Sequence, residues 1–196
     1  MLTSLLKSLS DFLVKEDTVA PCDLIVVLAG VMDRKFYGLE LFHQGIAPRL
    51  VLSIGRSEVR QTAALLSDGP ELINLRDRTP PEERHFWADF EDQKTKISLA
   101  RLERIGTFEE LKGIAAHLAS QPPASIALVS TSIHLRRIRF CCSRIPFFAE
   151  RKVSLWAVPE EKSSYKRNAW WKRRADCRYM ISEYLKLAGY RLRYDQ

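Results

Sequence analysis

Short apolar segments that alternate with helical stretches constrain the fold of this chain of 196 residues more than any other feature. Four of them have the composition of strands buried on both faces: DLIVVLAG from 23, RLVLSIG from 49, SIALVST from 125 and KVSLWAVP from 152. A weaker fifth candidate, KISLARLERI, starts at 96. Helical spacing is found at about 32–45, 56–67, 107–120 and 133–144. The alternation predicts an α/β fold in which helices cover both faces of a mostly parallel sheet of about five strands.

The alternation is interrupted at about 68–95, where charged residues and prolines surround the aromatic motif HFWADF. We predict that this segment is an excursion that folds over the sheet and borders a ligand pocket, with Phe86 or Trp87 packed against the body of the domain. The segment is too short for a second domain, so we predict one domain over 1–196. After a polar loop, a C-terminal helix is predicted from about 168.

Composition and charge indicate an ordinary globular protein that suits anionic partners. The hydrophobic content of 46% allows a sizeable core, and 31 Lys and Arg against 24 Asp and Glu give a net charge of +7. An anionic ligand, an acidic protein and a nucleic acid all match this charge. The four cysteines form no CxxC pair, and neither a signal peptide nor an apolar run of membrane-spanning length is present. We therefore expect a soluble, cytoplasmic protein with reduced thiols and no transmembrane anchor.

Candidate functional residues follow the ends of the predicted strands. Ligands of open parallel sheets bind beyond the carboxyl ends of the strands, where loops and helix N-termini converge. The segments at these ends are AGVMDRK, SIGRSE, RIGTFEE and STSIHLRR, and each supplies a glycine or hydroxyl followed by a charged side chain. AGVMDRK holds a single glycine, Gly30, so the GxGxxG dinucleotide fingerprint is missing. Arg34 is a candidate for holding a phosphate, and a solvated helix residue is the alternative interpretation.

His134 and Arg137 are three residues apart in a predicted helix and share a face, whereas Arg139 lies on another face. Unless an anion is bound, positive charge near a helix N-terminus opposes the helix dipole. We predict that both residues converge with Arg34 and Thr107 on one anion site, with His134 neutral and able to serve as acid, base or donor. Arg137 is expected to offer its planar fork to a phosphate, so its loss would weaken binding and leave the fold intact. The alternative is that hydroxyls cap this helix and the basic residues solvate it.

The segment GTFEE has two interpretations. Thr107 and Glu110 have the spacing of a capping box, which would by itself explain both residues. Gly106 also allows a close backbone approach, and Glu110 is able to accept hydrogen bonds from a ribose or an amine. The histidines show no metal-ligand spacing, and no nucleophile motif is present. The basic run around Trp170 and Trp171 suits a nucleic-acid or membrane patch, but core packing is the favoured interpretation of the tandem tryptophans.

Five stretches carry a resemblance to a known family: DLIVVLAG with Arg34 downstream, GIAPRLVLSIG leading to Glu58, GTFEEL from 106, VSTSIHLRRIRF, and WW with EYLKL from 183. In this order and spacing they resemble the ElyC/SanA/YdcF family, over most of the chain and in its soluble, YdcF-like branch. The resemblance implies a Rossmann-like three-layer α/β sandwich with a polar pocket at the strand ends. Many relatives carry a Ser-x-x-Thr-x-Glu-Asn type motif where this chain has RIGTFEE. The residues that fall on recurrent polar positions of the family are Asp23, Arg34, Ser53, Glu58, Thr107, Glu110, His134 and Arg137.

Residues and resemblance together predict a protein that binds a phosphorylated or nucleotide-like small molecule in a strand-end pocket, with a hydrolytic or transfer reaction as one interpretation. The candidate catalytic residues are His134 and Glu110, and no metal is expected. The candidate ligand-binding residues are Gly30, Arg34, Ser53, Glu58, Gly106, Thr107 and Arg137. One alternative is a non-catalytic module for a nucleotide or for S-adenosylmethionine, a ligand associated with a soluble relative. A less favoured one is a basic surface that docks on an anionic membrane or nucleic acid.

Overall fold

The computed structural model describes residues 2–92 and 94–194, and a six-stranded mixed sheet forms its centre. The strands are β1 (Leu24–Val27), β2 (Arg49–Gly55), β3 (His85–Glu91), β4 (Lys94–Leu99), β5 (Ser125–Ser130) and β6 (Lys152–Ala157). The α-helices are α1 (Leu2–Leu13), α2 (Met32–His43), α3 (Val59–Ala63), α4 (Gly69–Arg78), α5 (Thr107–His117), α6 (Leu135–Ser143), α7 (Pro146–Ala149) and α8 (Arg174–Tyr194). Short 3-10 turns span Pro81–Glu83, Ser132–His134 and Arg167–Lys172. The α/β class and the three layers predicted from the alternation are confirmed.

Both faces of the sheet are buried, which explains the continuous apolar runs of its central strands. Along β1, Ile25 and Val27 pack with helices α2, α3 and α4 on one face. Leu24 and Val26 pack with α5, α6 and α7 on the other face, because successive side chains of a strand point in opposite directions. Every residue of β1 therefore needs an apolar side chain, and the sequence supplies Leu, Ile, Val and Val.

The strand order across the sheet is β4-β3-β2-β1-β5-β6. β1 pairs in parallel with β2 and with β5, and β5 pairs in parallel with β6. The chain therefore builds outward from β1 on one side and later returns to build on the other side. A reversal of this kind opens a crevice between the loops that leave the two central strands at their carboxyl ends.

The excursion predicted at 68–95 borders the strand-end pocket through residues 82–85, as expected, but it does not fold over the sheet as a lid, and that part of the prediction was wrong. The segment forms α4 and then β3, which pairs antiparallel with β2 and continues into the antiparallel edge strand β4. The sheet consequently has six strands instead of about five, and its outer pair runs antiparallel. Phe86 and Trp87 pack into the cores on opposite faces of the sheet. This confirms the prediction that an aromatic residue of the segment packs against the body of the domain. The turn between β3 and β4 includes Asp92 with a φ of 48°, a left-handed conformation that Asp tolerates, so no glycine marked this hairpin.

Helices α1 and α8 pack together outside the three layers. Their shared core includes Leu13, Met180, Leu187 and Trp170, which confirms core packing for the first of the tandem tryptophans. The C-terminal helix starts later than predicted, because Arg173 has an extended conformation with a φ of −124° and separates the 3-10 turn from α8. Within residues 2–92 and 94–194, none of the helices combines the length and apolar character needed to cross a bilayer.

Candidate functional site

A cleft of about 1320 Å³ opens at the carboxyl edge of the parallel strands. Its floor is formed by the segments that follow β1, β2 and β5, and its rim by the loop that joins β4 to α5 and by α8. Of the nine residues predicted for the site, Ser53 lies beneath the floor, and eight line the cleft: Gly30, Arg34, Glu58, Gly106, Thr107, Glu110, His134 and Arg137. Segments that are far apart in the chain meet here because parallel strands end at the same edge of the sheet.

Arg34 lies in the first turn of α2 and is only 4% exposed. Its Nε donates to Thr131 Oγ1 at 3.0 Å, its Nη1 to the Ala29 carbonyl at 2.5 Å, and its Nη2 to Tyr179 Oη at 3.1 Å. All three acceptors are neutral, and within residues 2–92 and 94–194 no carboxylate forms an ion pair with this guanidinium. Gly30 has a φ of 142°, and a Cβ there would lie 2.8 Å from Arg34 Nη1, so only glycine fits beside the guanidinium.

Lys35, the next residue, is fully buried and belongs to a closed ion pair. Its Nζ lies 2.8 Å from Glu58 Oε2 and donates to the Leu28 carbonyl at 3.0 Å. The other carboxylate oxygen of Glu58 accepts backbone N–H groups from Gly30 at 2.8 Å and Gly55 at 2.9 Å. Burial lowers the pKa of Lys35, while the charge of Glu58 favours its charged form. Glu58 therefore ties the ends of β1 and β2 together instead of presenting a free carboxylate to a ligand.

Arg137 also belongs to a closed pair, which sequence reasoning did not foresee. Its Nε donates to Glu183 Oε2 and its Nη2 to Glu183 Oε1, both at 3.0 Å, and its Nη1 donates to Thr107 Oγ1. Lys186 adds a further contact to Glu183 at 3.1 Å. The planar fork that was expected to hold a phosphate already holds a buried carboxylate of α8. Without Arg137 that carboxylate would keep only the contact with Lys186, so we now expect loss of Arg137 to lower the stability of the fold.

His134 has both ring nitrogens engaged by hydroxyls. Nδ1 lies 2.8 Å from Ser130 Oγ, and Nε2 lies 3.1 Å from Thr107 Oγ1. Burial, followed by the positive charges of Arg137 and Arg34, lowers the pKa of His134 well below its ordinary value, so the ring is neutral at pH 7. Neither ring nitrogen of His134 is therefore left without a hydrogen-bond partner.

The capping interpretations of the two helix starts were wrong. Gly106 is the N-cap of α5, and no side-chain cap hydrogen bond is formed there. Instead, Glu110 Oε1 accepts the Ala29 N–H at 2.7 Å and lies 2.5 Å from Ser53 Oγ. The residue before the 3-10 turn, Thr131, likewise makes no cap and accepts from Arg34. The spacing typical of a helix cap thus occurs here in residues whose hydrogen-bond partners lie on distant elements of the fold.

His85 was missed at the sequence level. It is the first residue of β3 and faces Gly55, the last residue of β2, so the antiparallel strand delivers it to the carboxyl edge. Its Nε2 lies 2.7 Å from Ser53 Oγ. Burial and the charge of Lys35 lower the pKa of His85 to about 4. A strand assignment for HFWADF would have placed this histidine at the cleft.

One predicted polar residue, Asp23, lies outside the cleft, whereas α8 contributes cleft residues that were not predicted. Asp23 lies at the opposite, amino end of β1, where it accepts the Ser125 N–H at 2.8 Å, so it takes no part in the cleft. α8 contributes Tyr179, Glu183 and Tyr190, none of which was named as a site residue. A Cβ on Gly106 would lie 2.9 Å from Tyr190 Oη, which explains the need for a small residue at the start of α5.

Within the described residues 2–92 and 94–194, no group of three or more His, Cys, Asp and Glu side chains could hold a metal ion. No family model, curated protein sequence or solved structure shows significant similarity to this chain.

Proposed function

We propose that the strand-end cleft binds a phosphorylated or nucleotide-like small molecule and that Arg34 is the principal contact for its anionic group. One observation carries the proposal: Arg34 is a buried guanidinium in the cleft wall whose hydrogen-bond partners are all neutral. The neighbouring buried cations, Lys35 and Arg137, each face a carboxylate. An ionised group taken out of water without a counter-ion costs several kcal/mol, and a bound anion would offset that cost.

The backbone around Arg34 supports the same ligand chemistry. α2 and α5 both begin beside the cleft, at Met32 and Thr107, and their first turns carry backbone N–H groups without intrahelical acceptors. The positive ends of these two helix dipoles favour an anion at this edge of the sheet. A guanidinium whose Nη atoms each keep a second N–H group can add a ligand oxygen to its present partners.

Glu110 and His134 are the proposed residues for a hydrolytic or transfer step. Glu110 Oε1 is held by Ala29 and Ser53, and Oε2 accepts no hydrogen bond from the described part of the chain. Oε2 therefore suits a hydroxyl of the ligand or an attacking water. His134 would exchange a proton with the ligand through Thr107, whose hydroxyl contacts both His134 and Arg137.

We also propose, from the resemblance of the motifs, that the chain belongs to the ElyC/SanA/YdcF family and that its fold is Rossmann-like. The strand order, which reverses between β2-β1 and β5-β6, supports this proposal. Four of the five stretches that carry the resemblance contribute residues to the cleft through Arg34, Glu58, Thr107 and His134, and the fifth contributes Glu183.

A thermal-shift experiment tests the binding proposal with inorganic phosphate, ribose 5-phosphate, AMP and S-adenosylmethionine. A probe present at about 100 times its dissociation constant should stabilise the protein by about 2.7 kcal/mol. The shift should disappear in Arg34→Met and persist in the matched variant Arg139→Met, because Arg139 is exposed and paired with Asp17 outside the cleft. Equal losses in the two variants would indicate diffuse attraction by surface charge. Stabilisation by a probe without turnover of that probe would favour the binding module.

A further inference from the structure

The cleft contains a short chain of hydrogen bonds that ends at His85. Nε2 of His85 lies 2.7 Å from Ser53 Oγ, and Ser53 Oγ lies 2.5 Å from Glu110 Oε1. The same Glu110 oxygen accepts the Ala29 N–H at 2.7 Å. Ser53 is completely buried between the two, so its hydroxyl has no access to water. Its hydrogen bonds are therefore decided by His85 and Glu110.

The position of each proton follows from the donors that the groups possess. An ionised carboxylate only accepts, and Glu110 Oε1 already accepts from a backbone N–H. Ser53 has one hydroxyl proton, and it is donated to Glu110. Ser53 Oγ must then accept from His85, which places a proton on Nε2. A neutral imidazole carries one N–H, so Nδ1 keeps a lone pair.

Nδ1 of His85 is accessible to solvent and has no hydrogen-bond partner in the described part of the chain. No hydrogen bond from residues 2–92 or 94–194 reaches it, and it is not among the buried polar atoms that lack a partner. The side chain is half-buried and lines the cleft. His134 differs in this respect, because both of its nitrogens are engaged.

We propose that His85 is a proton acceptor for the ligand, with Nδ1 facing it and with Ser53 and Glu110 as the positioning residues that keep the proton on Nε2. The inference rests on the proposed function and narrows its ligands to phosphorylated molecules that also present a hydroxyl, an amine or an attacking water to Nδ1. In hydrolysis of a phosphate ester, the water oxygen forms a bond to phosphorus while Nδ1 takes one water proton. The bond from phosphorus to the leaving oxygen breaks, and that oxygen then takes the proton from Nδ1.

His117 is a matched control within the same protein. Its Nε2 lies 2.8 Å from Asp89 Oδ1, and because a carboxylate only accepts, this contact also places the proton on Nε2. His117 is partly exposed and does not line the cleft. Both histidines should thus have the same tautomer, while only His85 should respond to a ligand in the cleft.

The first measurement is the tautomer of each histidine in the full chain at pH 8, from the ¹⁵N chemical shifts of labelled protein. We expect His85 with Nε2–H and a bare Nδ1, and a rise of the Nδ1–H form in Ser53→Ala with His117 unchanged. The wild-type spectrum by itself tests the expected tautomer of His85, even if the Ser53→Ala variant is unstable. A wild-type His85 with its proton on Nδ1 would overturn the inference and leave the phosphate proposal untouched.

The second measurement is carbethoxylation of the histidines by diethyl pyrocarbonate, which attacks unprotonated imidazole nitrogens, with mass spectrometry as the readout. We expect modification of His85 and His117 but not of His134. AMP at about ten times its dissociation constant should slow the reaction of His85 about tenfold and leave His117 unaffected. Stabilisation of the protein by AMP without protection of His85 would overturn the ligand contact alone. If none of the four thermal-shift probes stabilises the protein, the proposed function fails, and this inference fails with it.

Discussion

Two arginines line the same cleft and are almost equally buried, yet their surroundings differ. Arg137 joins α6 to α8 by donating to both oxygens of Glu183. Arg34 contacts three neutral oxygens at the ends of β1 and β5 and on α8. The first guanidinium has its counter-charge built into the fold, whereas the second lacks one. A buried cation that is already paired contributes to stability and orientation, and one that is unpaired remains available to an anionic ligand.

The largest expected effect is that of replacing Arg137, the arginine that is paired with a carboxylate. Arg137→Met should lower the free energy of unfolding by about 3 to 5 kcal/mol, because the buried Glu183 then keeps only the contact with Lys186, whose side chain is half exposed. Urea denaturation followed by circular dichroism measures this change. The double variant Arg137→Met with Glu183→Leu should recover most of the loss, since apolar residues of similar size replace a buried pair at little cost. If the double variant loses as much free energy of unfolding as the two single variants together, the Arg137–Glu183 pair does not account for the loss.

For Arg34, the arginine without a carboxylate partner, we predict an effect on ligand binding. Arg34→Met should weaken the binding of AMP by about 1.5 to 3 kcal/mol, the range for hydrogen bonds to charged groups. Arg34→Lys keeps the charge and loses the planar fork, so it should retain part of the affinity. Isothermal titration calorimetry measures both variants. Unchanged affinity in Arg34→Met would remove the distinction between the two arginines.

The two histidines that line the cleft, His85 and His134, predict a pH dependence of stability. His85 faces Lys35, Glu58 and Ser53, and burial with the charge of Lys35 lowers its pKa from 6.5 to about 4. The unfolded chain therefore binds more protons than the folded one between these values. The stability that the neutral ring contributes is complete above pH 6.5 and is lost as the pH falls toward 4, by on the order of 2 kcal/mol for His85.

His134 adds to the same slope, because burial and the charges of Arg137, Arg34 and Lys186 lower its pKa in the same direction. Urea titrations at several pH values measure the total. His85→Gln should flatten the dependence in part and leave the contribution of His134. Stability that is constant from pH 6.5 to 4 in the wild type would contradict burial of both rings.

The smallest effect is expected outside the cleft. Arg139→Ala removes an exposed ion pair with Asp17 and should change the free energy of unfolding by less than about 1 kcal/mol. It should leave the affinity for AMP unchanged. A loss of affinity comparable to that of Arg34→Met would instead indicate that surface charge attracts the ligand.

Much of the architecture could be predicted from the residues alone. The strands β1, β2, β5 and β6 were located because side chains on both of their faces are buried, which leaves a continuous apolar run in the sequence. The convergence of Arg34, Thr107 and His134 could also be predicted, because parallel strands end at one edge. β3 was missed because His, Asp and Glu interrupt its apolar residues and a turn without glycine follows it.

The α/β class, the buried strands and the edge of the sheet where the polar residues gather therefore follow from the residues alone, since they depend on local burial patterns and chain connectivity. The pairing of the charges depends on the three-dimensional fold. Arg137 and Glu183 are 46 residues apart, and nothing local distinguishes Arg137 from Arg34. The capping-box spacing of Thr107 and Glu110 indicated a local role, but in the folded chain both side chains bind partners on distant elements. Which cation remains unpaired depends on long-range packing, because a counter-ion can come from any element that the fold brings within reach.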